Sequence, residues 1–224
     1  MNPKHLAPIL LVATLSLASP AALAGLQLNL VSGAQTVTIT DGGAGDANPA
    51  AGAVTFVGSV GTYNINVTTG LDSGVLVFPE IMDLSSVDVT GSGGNLLIGL
   101  TQTGLNFGSG PLQVNGFIGG TNSGTSIAYA LYADAADTAF GMGSLLFSGS
   151  SSAAAFADSG GSSFTDPSGT FSLYQRVEIS GGPGSTSFDF SARIPEPGTA
   201  ALAGAALLAL GAVARRRPQR SERH

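Results

Sequence analysis

The side chains that usually carry catalysis are scarce in this chain, and where they fall narrows the chemistry open to it. Cysteine is absent, which excludes disulfides, thiolate metal sites and thiol nucleophiles. The two histidines, His5 and His224, stand at opposite ends of the 224 residues. If both ends are targeting segments, a Ser-His-Asp arrangement has no base left. What remains is oxygen chemistry. Asp41, Asp46 and Asn48 share a glycine-rich stretch that could wrap oxygen ligands around Ca²⁺, although the spacing is neither that of an EF-hand nor that of an RTX nonapeptide. The same residue types are ordinary turn formers, so this calcium candidate stands beside the plainer reading of a loop. Asp134 and Asp137 invite the same comparison. Glycoside cleavage needs two carboxyl groups flanking one bond. Between Gly25 and Ile194 the glutamates are Glu80 and Glu178, Asp is plentiful, and no spacing selects a pair. We therefore expect no catalytic residues, no cofactor and no enzymatic activity.

Binding chemistry is constrained in a similar way. Residues 25–194 hold twelve carboxylates against two cations, Arg176 and Arg193, which leaves the segment at −10. Phosphate recognition needs clustered Lys and Arg, so nucleic acid is not expected as a partner. A sugar platform would ordinarily use Trp or Tyr. Trp is absent, and three of the four Tyr sit inside strand-like runs that core packing explains equally well. The sequon Asn66-Val67-Thr68 is a single match in a Thr-rich chain.

These side chains must be positioned by β-strands, because the apolar residues recur with a period of two. Leu26, Leu28 and Leu30 alternate with polar neighbours, as do Val37 and Ile39, Tyr63, Ile65 and Val67, and Val87 and Val89. The pattern returns at Ile127, Tyr129 and Leu131, at Leu173, Val177 and Ile179, and at Phe188 and Phe190. Turn clusters separate the runs: Asp41-Gly42-Gly43, Gly91-Ser92-Gly93-Gly94, Gly119-Gly120 and Gly181-Gly182-Pro183-Gly184. Ala133 to Ala139 reads as a loop or a single turn. The Ser/Ala/Gly tract from Ser148 to Ser163 reads as a flexible loop. About ten to thirteen short strands predict an all-β domain over residues 25–194, an antiparallel β-sandwich or jelly roll.

The two ends carry addresses. Residues 1–24 have the layout of a signal peptide: Lys4, an apolar stretch from Leu6 to Leu17, and Ala22-Leu23-Ala24, after which signal peptidase would leave Gly25 as the N-terminus. Residues 195–224 begin with Pro195-Glu196-Pro197, run uncharged from Gly198 to Ala214, and reach Arg215, Arg216 and Arg217. Seventeen residues rising about 1.5 Å each give a helix of about 25 Å, enough for a thin bilayer core. The basic cluster would hold its end in the cytoplasm.

This tripartite tail resembles the PEP-CTERM sorting signal of Gram-negative bacteria. The resemblance implies an inner-membrane precursor held by its C-terminal helix and cut near Pro-Glu-Pro by an exosortase-type enzyme, with the mature protein at the cell surface or outside the cell. The middle is similar to a subgroup of such proteins at Asp41-Gly42-Gly43 to Asn48-Pro49, at Gly58 to Gly61 and on to Thr69-Gly70, at Met82-Asp83-Leu84 and at Ser187-Phe188-Asp189. That subgroup implies no assigned activity. The expected function is an exported, non-enzymatic surface or matrix protein associated with exopolysaccharide or biofilm. The alternative is a secreted module binding carbohydrate or another surface ligand, and after it an extracellular hydrolase. Carboxylates and aromatics grouped in a concave pocket would favour the hydrolase, and a flat aromatic strip the binding module.

Overall fold

The computed structural model describes residues 25–72, 76, 80–108, 110–165 and 169–195, with the backbone alone for 66–69 and 86. These residues form ten strands and no helix: β1 (Leu26–Ser32), β2 (Gln35–Thr40), β3 (Ala53–Val60), β4 (Tyr63–Asp72), β5 (Glu80–Gly91), β6 (Gly94–Leu105), β7 (Pro111–Asp134), β8 (Ser144–Ser151), β9 (Ala155–Thr165) and β10 (Phe171–Arg193). Every pairing is antiparallel. The all-β expectation is met. The signal peptide, and the tail beyond Pro195 with its expected membrane helix, lie outside the described residues.

Two strands organise the rest. β7 has 24 residues and β10 has 23. At about 3.4 Å per residue a straight strand of that length would reach about 80 Å. A compact unit of this size is about 40 Å across. Both strands must therefore bend, and each serves two half-sheets. Residues 171–181 of β10 pair with β6 and with the end of β7, while residues 184–193 pair with β5 and with the start of β7. β8 lies against the end of β7 and β9 against its start. The first half-sheet runs β2-β1-β6-β10-β7-β8, the second β3-β4-β5-β10-β7-β9. Strands β3-β4-β5-β10-β6-β1 wrap one core, and β1 returns to within 8 Å of β3 and β4, so these six form a flattened barrel to which the others add.

The bend falls where the β7/β10 register slips between Gly181 and Ser185. Gly124 and Gly181 have φ of 78° and 128° there, backbone that a side chain resists. A Cβ on Gly184 would lie 1.9 Å from the Ser123 carbonyl oxygen, so the two backbones can touch only because Gly184 has no side chain. Beside the bend a buried polar cluster ties the strands together. Asn122 donates to the Thr125 carbonyl at 2.6 Å, and the Thr125 and Thr186 hydroxyls meet at 2.7 Å.

The inner faces pack as the period-two pattern requires. Leu26, Leu28 and Leu30 of β1 are fully buried, with Leu96, Ile98 and Leu100 of β6 and Leu173 and Val177 of β10. Phe147 of β8 crosses to the opposite half-sheet, where it meets Phe190 at 6.3 Å between ring centroids. It fits because Gly116 and Gly160 leave the space that side chains would fill.

Three expected features are corrected. Ser148 to Ser163 is not a flexible loop: it contains the end of β8 and most of β9. Gly119-Gly120 is not a turn but lies within β7, where each residue pairs on both sides. Gly181-Gly182-Pro183-Gly184 does not end a strand but makes the bend inside β10. In these stretches small residues serve as strand positions, and at Gly120 a Cβ would lie 2.1 Å from the Ser187 carbonyl oxygen.

Candidate functional site

The second half-sheet presents an outer face of Ser, Thr, Asp and Asn, and one part of it gathers charge. β5 carries two bulges, at Phe188/Phe190 and at Ala192/Arg193 in its register with β10. Glu80 and Asp83 are three residues apart, so a regular strand would send them to opposite faces. The extra residue at Ile81 corrects this: Ile81 and Met82 are both buried, and Glu80 and Asp83 both face outward. Across the ladder, Asp83 pairs with Ser191, Ser191 with Phe117, and Phe117 with Ser159. One rung away, Asp189 faces Gly119, whose missing side chain leaves the floor open.

Together these residues line a depression of about 810 Å³ with Glu80, Asp83, Asp158, Asp189, Ser191, Arg193 and Phe117 among its walls. Arg193 donates to Glu80 Oε1 from Nη2 at 2.6 Å and from Nε at 3.0 Å. Its guanidinium also lies 4.8 Å from the centre of the Phe117 ring. Phe117 remains 38% exposed. Asp158 Oδ2 accepts from the Tyr129 hydroxyl at 2.7 Å, which joins the two half-sheets at one rim. Burial, and after it the charges of Glu80 and Asp189, push Asp83 up to about 6, with Arg193 acting in the opposite direction. Ser191 is 8% exposed.

The residues weighed from the sequence as metal ligands or paired carboxylates go elsewhere, with Glu80 as the exception; Asp83 and Asp189 stood out by resemblance alone. Asp46 Oδ1 accepts from the amides of Asn48 and Thr55, both at 2.9 Å, and Oδ2 from Gly42 at 3.0 Å. Asp41 Oδ2 accepts from Gly52 at 2.7 Å, and Asn48 Oδ1 from Ala50 at 3.0 Å. These side chains clasp the loop between β2 and β3 by binding its amides, and no group of three or more His, Cys, Asp or Glu among the described residues is placed to hold a metal ion. Asp134 and Asp137 likewise accept from the amides of Ala136 and Gly104. Glu178 pairs with Arg176 on the outer face of the first half-sheet, far from Glu80 in the fold. Gly25 begins the described chain, its amide 3.2 Å from Thr103 Oγ1, and Pro195 ends it. Ala22, Ala24, Glu196, Pro197 and Arg215 to Arg217 lie outside the described residues, as do the side chains of Asn66 to Thr68.

The first half-sheet carries an aromatic group on its outer face, but it is covered. Tyr132 and Tyr174 stack at 6.1 Å, and Phe140 sits edge-on over Tyr174 at 5.5 Å. Phe140 holds a φ of 58° to do so. Tyr174 is consequently buried, and the strip offers no open platform.

No protein-family model matches the chain, and no curated protein is similar to it in sequence. Among solved structures the chain is similar to TmCBM61 in complex with beta-1,4-galactotriose, at 12% identity and a TM-score of 0.33, over 59% of this chain and 88% of that one. It is also similar to the enzymatically active domain of tailspike protein 4 from bacteriophage CBA120, at 12% identity and a TM-score of 0.34, over 63% and 19%. A third is the infectious bursal disease virus Gx strain structure, at 12% identity and a TM-score of 0.32, over 76% and 54%.

Proposed function

We propose that this chain is an exported, non-enzymatic β-sandwich that binds surface or matrix glycans through the outer face of its second half-sheet. In this reading it is delivered as an inner-membrane precursor and sorted by an exosortase-type enzyme through its C-terminal tail. The observation that carries the binding assignment is the depression at Asp83, Asp189, Ser191 and Phe117. It combines carboxylates, which accept from hydroxyl pairs, with an exposed ring edge against which a sugar can pack. The site is open and crosses several strands, which suits a polymer lying along a sheet.

A second reading has its own support. A carboxyl group raised to about 6 beside other carboxylates is the charge arrangement of a glycosidase acid and its partner. The binding reading is preferred because Glu80 is committed to Arg193 by two hydrogen bonds.

One experiment addresses both. The full chain in mild detergent is passed over insoluble polysaccharides, and the flow-through is assayed for new reducing ends. Retention that Phe117→Ala abolishes, without release of sugar, is the expected result. Release that Asp83→Asn stops would establish the hydrolase instead.

A further inference from the structure

β10 joins pieces of the fold that are otherwise separate. Among the described residues its ladders connect three groups that share no other ladder: β2-β1-β6 through β6, β3-β4-β5 through β5, and β8 and β9 through β7. At the far seam β1 approaches β3 and β4 without pairing with them. Without β10, each group would be a small sheet with a bare edge at β6, β5 or β7, near the limit of independent stability. The apolar faces would lie open too, because β10 supplies Phe171, Leu173, Val177, Ile179, Phe188 and Phe190 to the core. The fully buried Gln175 donates from Nε2 to the Phe190 carbonyl at 2.7 Å, so the strand also joins its own two halves in the interior. This linking strand is the last of the ten. Arg193 meets Glu80 across 113 residues, and the entropy of closing so long a loop opposes early pairing.

We propose that β10 is the closing element of a fold that stays open until residues 171–193 arrive. The upstream strands gain lasting structure only as β10 inserts between β5, β6 and β7, so chain order acts as a timing device. One consequence rests on the export reading: a chain that crosses a membrane unfolded is kept in that form until Arg193 has passed. Folding then follows at once, with Pro195-Glu196-Pro197 next in the chain.

The test is pulsed hydrogen exchange during refolding of the full chain from denaturant into mild detergent, read peptide by peptide. Amides of β1, β4, β5 and β6 are expected to gain protection in the same phase as those of β10, at rates within about twofold. Protection of β2-β1-β6 or of β3-β4-β5 that precedes β10 by about fivefold or more overturns the proposal. Two variants put the same question to the rates. Val177→Ala trims a fully buried side chain of β10 and is expected to slow refolding at least about threefold. Val37→Ala, in β2 at the margin of the core, is expected to leave refolding within about twofold and to quicken unfolding. Refolding that Val177→Ala leaves unchanged also overturns the proposal. If that variant does not fold, the exchange pattern of the wild type decides alone. Both measurements are made on purified chain, so their failure leaves export standing, and a chain retained inside the cell leaves the folding order standing.

Discussion

At the scale of single residues, Asp83 is held at a cost to stability. Its folded-state value of about 6 lies above its ordinary 3.8, so the fold favours the protonated form. That contribution is complete below pH 3.8 and is lost as the pH rises through about 6. Asn cannot ionise and escapes the loss. Asp83→Asn is therefore expected to melt higher than the wild type at pH 7.5, by a margin worth on the order of 1 kcal/mol after solvent screening. The two curves should converge near pH 4, and thermal melts across pH check this. A destabilising Asn would mean that the carboxylate is satisfied by a donor after all. How much of the site the sequence disclosed follows from the same residue. Met82-Asp83-Leu84 and Ser187-Phe188-Asp189 both stood out by resemblance, yet nothing in their spacing joined them. Asp83 and Asp189 meet through strand pairing across a hundred residues, and Glu80 joins them only because a bulge inserts Ile81. Period-two reading is blind to an inserted residue, which reverses every face beyond it.

At the scale of elements, the bend and the loop clasp make separate predictions. Gly184→Ala forces a Cβ into the Ser123 carbonyl, so the β7/β10 bend must open. A loss of about 2 kcal/mol or more in denaturant unfolding is expected. Asp46→Ala strips the acceptor from two amides of the loop between β2 and β3, Gly42 and Asn48, and from that of Thr55 in β3. It should cost about 1–3 kcal/mol and expose that loop to protease, while millimolar Ca²⁺ leaves the melting point of either protein unchanged. A calcium-dependent rise in the wild type would restore the metal reading of Asp41, Asp46 and Asn48. Several strands were legible because each has one wet face: β1, β2, β4 and the halves of β10 follow their alternating runs, whereas β6 has no such run, since residues 98–102 are buried on both faces. β9 was not legible, because it lies at an edge with little apolar content, and Ala, Ser and Gly look alike in a loop and in an edge strand. The length of β7 was hidden for a related reason, since Gly119 and Gly120 read as punctuation while acting as space.

At the scale of the whole molecule, sorting is expected to separate into distinct steps. N-terminal sequencing of exported material should begin at Gly25. Glu196→Ala should insert normally and remain uncut in a host that carries the processing enzyme, whereas replacing Arg215, Arg216 and Arg217 should disturb retention or topology first. Fractionation and apparent mass distinguish these outcomes. Normal processing of the Glu196 variant would make the tail a plain anchor.

The last strand of the domain is also its central one. β10 is hydrogen-bonded along both edges, to β7 over nearly its whole length and to β6 and β5 in succession. The chain continues from its C-terminal end. A pull on that end acts along the strand, so it loads many ladder bonds side by side instead of opening them one at a time. The same tension passes Arg193, where the Glu80 pair and the Phe117 ring sit, before it reaches the bend. A pull on the C-terminal end therefore meets the ladders on both sides of this central strand at once. If the domain is tethered under load, that end is the mechanically sound place to hold it.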